Sequence, residues 1–153
     1  MPDQQVIISD ASPLIALIDI GELDLLRLLY ENVSITDIVR SEIHADLPQW
    51  ITVSSNYDLK QFQILKLELD PGEASAIALA LENPGSRIIL DENKGRSVAK
   101  RLGLKVTGTL GIIIKAKELG LIKSGKEILY KLEKHGFWLS EPLKKQIIER
   151  LQE

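Results

Sequence analysis

Val6-Ile7-Ile8-Ser9-Asp10-Ala11-Ser12-Pro13-Leu14-Ile15 sets an acid directly after a short apolar run of strand length, and Arg87-Ile88-Ile89-Leu90-Asp91-Glu92 repeats the arrangement. Three more runs of that length, Val33-Ser34-Ile35, Ile51-Thr52-Val53 and Lys105-Val106-Thr107, stand between segments of helical period. Strands alternating with helices predict a parallel sheet covered on both faces. In such sheets ligands bind beyond the carboxyl ends of the strands, where strand order reverses. Asp10 and Asp91 meet in that crevice if the first and fourth strands are neighbours.

Helix limits are marked by caps. Thr36 can cap a helix running through Glu42, and Asp70-Pro71-Gly72-Glu73 reads as N-cap, proline at the first helical position and an acid three residues after the cap. Ala74, Ile77, Ala78 and Leu81 then fall on one face, and Asn83-Pro84-Gly85 stops the helix. Beyond the last strand, Thr109 to Leu119 ends at Gly120, Ser124 caps a helix ending near Gly136, and Ser140 caps a terminal one. Residues 136–153 read as a helical extension docked on a single domain spanning 1–153.

Composition narrows the chemistry. The 153 residues are 44% apolar and 27% charged, which suits one globular domain. No membrane span is present, and Met1-Pro2-Asp3-Gln4-Gln5 lacks a leader's basic and then apolar layout, so a cytoplasmic location is expected. Cysteine is absent and there are only two histidines, which removes thiolate chemistry and argues against a histidine-rich zinc site. Any metal would have oxygen ligands. The net charge of −3 conceals a division: residues 1–92 carry 16 acids and 5 bases (−11), and residues 93–153 carry 6 acids and 14 bases (+8). That polarity predicts an acidic pocket beside a basic surface. Lys94, Arg96, Lys100 and Arg101 follow Asp91 within a stretch, residues 93–117, that holds seven Lys or Arg and no acid. A solvated helix face and a phosphate-binding face are both consistent with it.

Each acid has a second reading. Asp10 and Asp91 are placed to cap the helices that follow them, Glu73 to complete a capping interaction with Asp70, and Glu42 to be an ordinary helical glutamate. Two acids at two adjacent strand ends are harder to explain as caps. Other signatures fail. There is no phosphate-binding Gly-x-x-x-x-Gly-Lys-Ser/Thr loop, Gly108-Thr109-Leu110-Gly111 lacks the third glycine of a dinucleotide fingerprint, and Ser12 stands where a haloacid-dehalogenase phosphatase needs its second Asp. Val53-Ser54-Ser55 does not supply the third-strand Asp of a response-regulator receiver. His44 and His135 are expected on surface helices, and Trp50 and Trp138 as packing anchors.

Asp10-Ala11-Ser12-Pro13-Leu14-Ile15, Glu42, Leu69-Asp70-Pro71-Gly72-Glu73-Ala74-Ser75-Ala76-Ile77, Leu90-Asp91-Glu92 with Gly95-Arg96, and Val106-Thr107-Gly108-Thr109-Leu110-Gly111 together resemble PIN-domain proteins, in particular prokaryotic nucleic-acid-binding members related to VapC-like toxins. The resemblance runs through nearly the whole chain in order. It implies a three-layer α/β/α fold with a five-stranded parallel sheet in the order 3-2-1-4-5, which makes the first and fourth strands neighbours. It also implies that Asp10, Glu42, Glu73 and Asp91 are the catalytic and metal-binding acids, supported by Ser12; Glu92, beside Asp91, is read as a further supporting acid, and the acid-free basic segment nominates Lys94, Arg96, Lys100 and Arg101 to hold RNA.

Two departures from the family pattern stand out. Ala11 replaces a common Thr or Ser and removes one supporting hydrogen bond, and Glu73, where many relatives have Asp, adds one methylene of reach. Four carboxylates in one crevice need a divalent cation or bound protons to stay together at neutral pH, and Mg²⁺ or Mn²⁺ suits all-oxygen ligation. The activity implied is RNA hydrolysis by an endoribonuclease, as the toxin of a toxin–antitoxin pair, with a small antitoxin protein as partner and a homodimer as the assembly. The alternative is a PIN-like module that binds RNA or protein without cutting.

Overall fold

The computed structural model describes residues 5–153. Met1 to Gln4, part of the segment read as unlike a leader, lie outside the described residues. The described chain alternates strand and helix as β1 (Ile7–Ser9), α1 (Ala11–Asp19), α2 (Asp24–Tyr30), β2 (Val33–Thr36), α3 (Asp37–Ser41), β3 (Ile51–Ser54), α4 (Leu59–Leu65), α5 (Pro71–Leu81), β4 (Arg87–Ile89), α6 (Asn93–Arg101), β5 (Lys105–Thr107), α7 (Thr109–Glu118), α8 (Gly125–Lys134) and α9 (Glu141–Leu151). Every predicted strand is present to within one residue at either end.

The five strands form one all-parallel sheet in the order β3-β2-β1-β4-β5. β1 and β4 are therefore neighbours, with Ile7 opposite Arg87, Ile8 opposite Ile88 and Ser9 opposite Ile89. These central strands are covered on both sides, which is why Ile7, Ile8, Ile88 and Ile89 are buried. On one side α5 lies across β1, β2 and β4 with α3, α4 and α6 around it, and on the other α1, α2, α8 and α9 gather on α7.

Thr36, Asp70, Ser124 and Ser140 all cap their helices as the sequence predicts, each side chain accepting from the backbone N–H three residues on. The one-sided pattern expected of α5 does not hold. Gly72 through Ala80 are all buried, because Ala at 74, 76, 78 and 80 lets the sheet and three helices approach on every side. A buried hydrogen bond of 2.7 Å between the Thr36 and Ser75 hydroxyls ties the end of β2 to α5.

The C-terminal extension is docked, with α9 packed on both α7 and α8. The Glu153 carboxylate accepts from Gly125 N at 2.8 Å, Ser124 Oγ at 3.0 Å, Lys117 Nζ at 3.1 Å and Lys126 N at 3.3 Å. Desolvation at this position pushes its pKa up, but the four donors outweigh that and hold it at about 2. Among the described residues no helix is long and apolar enough to cross a membrane.

Candidate active site

All five strands point the same way, so their carboxyl ends share one edge of the sheet, and the acids gather there. Asp10 directly follows β1, and its backbone N–H donates to Ile89 O of β4 at 3.0 Å, which fixes the residue across the central strand pair. Asp10 occupies the N-cap position of α1, yet its side chain makes no cap hydrogen bond, so capping does not account for it. It is only 6% exposed. Burial pushes its carboxyl up to about 7 against the pull of the Ala11 N–H, and the charges of Asp70, Glu42 and Asp91 push it further the same way.

Glu73 stands on the first turn of α5 and is 4% exposed. Its Oε2 has no hydrogen-bond partner, a costly arrangement for a buried polar atom. Burial, contact with the Asp70 carboxyl, and the charges of Asp10 and Glu92 hold Glu73 well above the usual carboxylate range. Glu42 lies at the exposed C-cap of α3, the helix that Thr36 begins, and is pushed up by desolvation and then by Asp70. Asp10 and Glu73 thus form a buried floor, with Glu42, Asp70 and Glu92 on an exposed rim.

Asp91 is half-buried beside them. It does not cap the helix that follows it. Its Oδ1 accepts from Thr109 N at 2.8 Å and its Oδ2 from Thr109 Oγ1 at 2.6 Å, so it caps α7 from another strand end. The cap residue of α7 itself, Gly108, has no side chain to do this.

Three glycines clear space for three of the acids. A Cβ on Gly72 would collide with the Glu42 carboxylate, one on Gly95 would lie 2.5 Å from Glu73 Oε2, and one on Gly108 would lie 2.8 Å from Asp91 Oδ1. None of the three has a positive φ. Close approach, and not turn geometry, requires them.

The donors are all oxygen, two of the acids are buried in a like-charged group, and one buried oxygen has no partner. That is the chemistry of a hard divalent cation. As the side chains stand, no three acids among the described residues converge on a single point; they face one another at electrostatic range.

The remaining sequence-predicted residues spread around this cleft. Glu92 is at the N-cap of α6 without a cap bond of its own, and Ser12 is exposed on α1, lining a hollow of about 220 Å³ with Phe137 and making no bond to the acids. Lys94, Lys100 and Arg101 are exposed on α6, which starts at the rim. Arg96 is half-buried, with Nη1 donating to Leu90 O at 2.9 Å, so part of its guanidinium braces α6 against the end of β4. Two wider grooves of about 620 and 680 Å³ run along α8 and α9 and contain none of the acids.

Two expectations are corrected. Trp138 is 81% exposed and is no packing anchor, because it lies in the loop between α8 and α9, whereas Trp50 does pack against the core. His44 is exposed but in the loop after α3, since that helix stops at Ser41; His135 is the exposed C-cap of α8. Sequence reasoning missed Asp70 as a member of the cluster, although an acid three residues before Glu73 must share its helix end. It also missed Thr109 as the residue that fixes Asp91.

A family model described as a PIN domain matches residues 6–153. No curated protein and no solved structure matches the chain.

Proposed function

The chain belongs to the PIN-domain family, a nuclease-type fold, and on that premise we propose that it is a Mg²⁺- or Mn²⁺-dependent endoribonuclease acting through Asp10, Glu42, Glu73 and Asp91. One observation carries the reading: Asp10 and Glu73 are buried among other acids with Glu73 Oε2 unpartnered. Structure alone gives no return for that cost, whereas a cation would. Asp10 and Glu73 would hold the cation from the floor, Glu42 from the rim and Asp91 from the side where Thr109 orients it. When bound, Mg²⁺ or Mn²⁺ supplies Lewis-acid charge at the scissile phosphodiester. The chain's own part is to fix the carboxylates before substrate arrives and to present Lys94, Lys100 and Arg101 to the phosphates on either side. The biological setting we propose is the toxin of a toxin–antitoxin pair, acting as a homodimer and held in check by a small antitoxin.

The test is cleavage of a mixed single-stranded RNA with Mn²⁺ and with chelator, alongside melting curves in the same buffers. Cleavage that requires metal, and a melting point that rises with millimolar Mn²⁺ because the ion binds only the folded chain, are the expected results. The bonds from Thr109 to Asp91 favour one alternative, an RNA-binding module whose fourth acid is a helix cap. RNA retention without cleavage would establish it.

The α6 surface makes a separate prediction. Neutralising Lys100 and Arg101 together should weaken RNA binding on every sequence and reduce the slope of log affinity against log salt by roughly 1.4 to 1.8, the share of two phosphate contacts. Titrations at several salt concentrations check it, and an unchanged slope places the RNA elsewhere.

A further inference from the structure

We infer that Arg96 holds the RNA phosphate that lies against the acids, using the donors its brace leaves free, while Lys94, Lys100 and Arg101 serve phosphates farther along. The inference rests on the nuclease reading above and adds a residue to that site. The guanidinium lies apart from the other bases of α6. A Cβ on Gly108 would be 2.8 Å from Arg96 Nη1 and 2.8 Å from Asp91 Oδ1. The cation and the acid therefore flank one bare glycine at the carboxyl ends of β4 and β5. Gly95, the residue before it, stands in the same way against Glu73 Oε2, so the first turn of α6 abuts two of the four acids.

Among the described residues the Arg96 side chain makes one hydrogen bond, Nη1 to Leu90 O at 2.9 Å, and no ion pair. Bracing a main-chain carbonyl takes one donor, and a guanidinium has five. Nε and Nη2 are neither bonded nor buried. A group placed to neutralise the acids would pair with one of them, yet both Asp91 oxygens are taken by Thr109. What is left is a half-buried cation, fixed in position, with open donors at the edge of the acid cleft. A planar fork of that kind matches an anion offering two oxygens, as a phosphodiester does, and the brace lowers the entropy lost when the anion arrives. Lys94, Lys100 and Arg101 are exposed, and their side chains have no such brace.

The experiment compares Arg96→Gln, Arg96→Lys and, as a charge control on α2, Arg27→Gln with the parent. Full chains are used, at a temperature where melting curves show each one folded. Affinity for a mixed single-stranded RNA is titrated against salt in chelator, and cleavage is followed with Mn²⁺ at saturating RNA. Arg96→Gln should reduce the slope of log affinity against log salt by roughly 0.7, one phosphate contact on a single strand. It should also lower cleavage at saturating RNA by at least about 10²-fold, the effect of removing one preorganised donor from a reacting centre. Arg96→Lys keeps the charge and loses the fork, so it should keep the slope and recover only part of the rate. Arg27→Gln should keep the parental slope. A parental slope in Arg96→Gln would make Arg96 a brace alone and overturn the inference, with the nuclease reading untouched. If Arg96→Gln does not fold, Arg96→Lys decides, and a parental rate at saturating RNA in that variant overturns the inference. A parent that binds RNA without cutting it would overturn the nuclease reading, and the slope would still decide Arg96; a parent that binds no RNA would overturn both.

Discussion

Asp10→Asn should lower RNA cleavage by at least about 10²- to 10³-fold, the cost of removing one preorganised charged group from a reacting centre. Size and the β1–β4 backbone bond are unchanged, so folding should survive. Its effect on stability should depend on pH, and the sign follows from the raised pKa. In the unfolded chain Asp10 titrates near 3.8, and in the fold at about 7. The native state therefore holds this proton more tightly, and the stability this gives is complete below pH 4 and is lost as pH rises through 7. Asparagine cannot ionise. The variant should gain on the parent between pH 4 and pH 8 in chelator, and lose that lead when Mn²⁺ is present. Melting curves across that range, with RNA cleavage at each pH, check both halves. A variant that cleaves like the parent removes Asp10 from the reaction. Asp91→Asn should behave differently, because its Oδ2 accepts the Thr109 hydroxyl and an amide nitrogen cannot. It should cost about 1 kcal/mol of stability in addition to activity.

Gly72→Ala should be nearly silent for the fold and severe for the site. The three atoms nearest the new Cβ all belong to the Glu42 carboxylate, and Glu42 is the exposed end of a flexible side chain that can swing away. Alanine also forms helix more readily than glycine, by about 1 kcal/mol in a helix interior and less at the second position of α5. Melting should stay level or rise slightly. Cleavage and Mn²⁺ affinity should fall by about tenfold or more, as when a group that orients a ligand is lost. Parental activity in this variant would show that Glu42 works from another position. Gly95→Ala provides the contrast, since its Cβ would also crowd Leu90 Cδ2 at 3.1 Å and the buried Glu73, so both stability and activity should fall.

The sheet was legible in the sequence because buried parallel strands leave short β-branched runs, and each acid at a strand end marks the edge where ligands bind. The caps were legible because a hydroxyl or carboxylate at N-cap has one dominant use. Asp70 was read correctly as the cap of α5, but that reading did not show that its charge also faces Asp10 and Glu42. The glycine clearances were invisible because the carboxylate each one admits comes from a different element, Glu42 from α3 and Asp91 from the end of β4. The full burial of α5 eluded a periodicity argument, since alanine is too small to mark a face. Trp138 follows the same logic in reverse, as bulk alone does not say whether a partner surface exists.

The pairing of β1 with β4 sets how the molecule must assemble. Ile8 and Ile88, eighty positions apart in the chain, lie side by side at the centre of the sheet, so the central contact is among the least local the chain makes. Closing a loop of that length costs entropy before any contact repays it, and non-local parallel pairings are slow to form. Asp10 and Asp91 ride on the two ends of that closure, so they meet only once it is complete. Their mutual repulsion is therefore felt late, after the pairing has formed, so relieving it should slow unfolding more than it speeds folding.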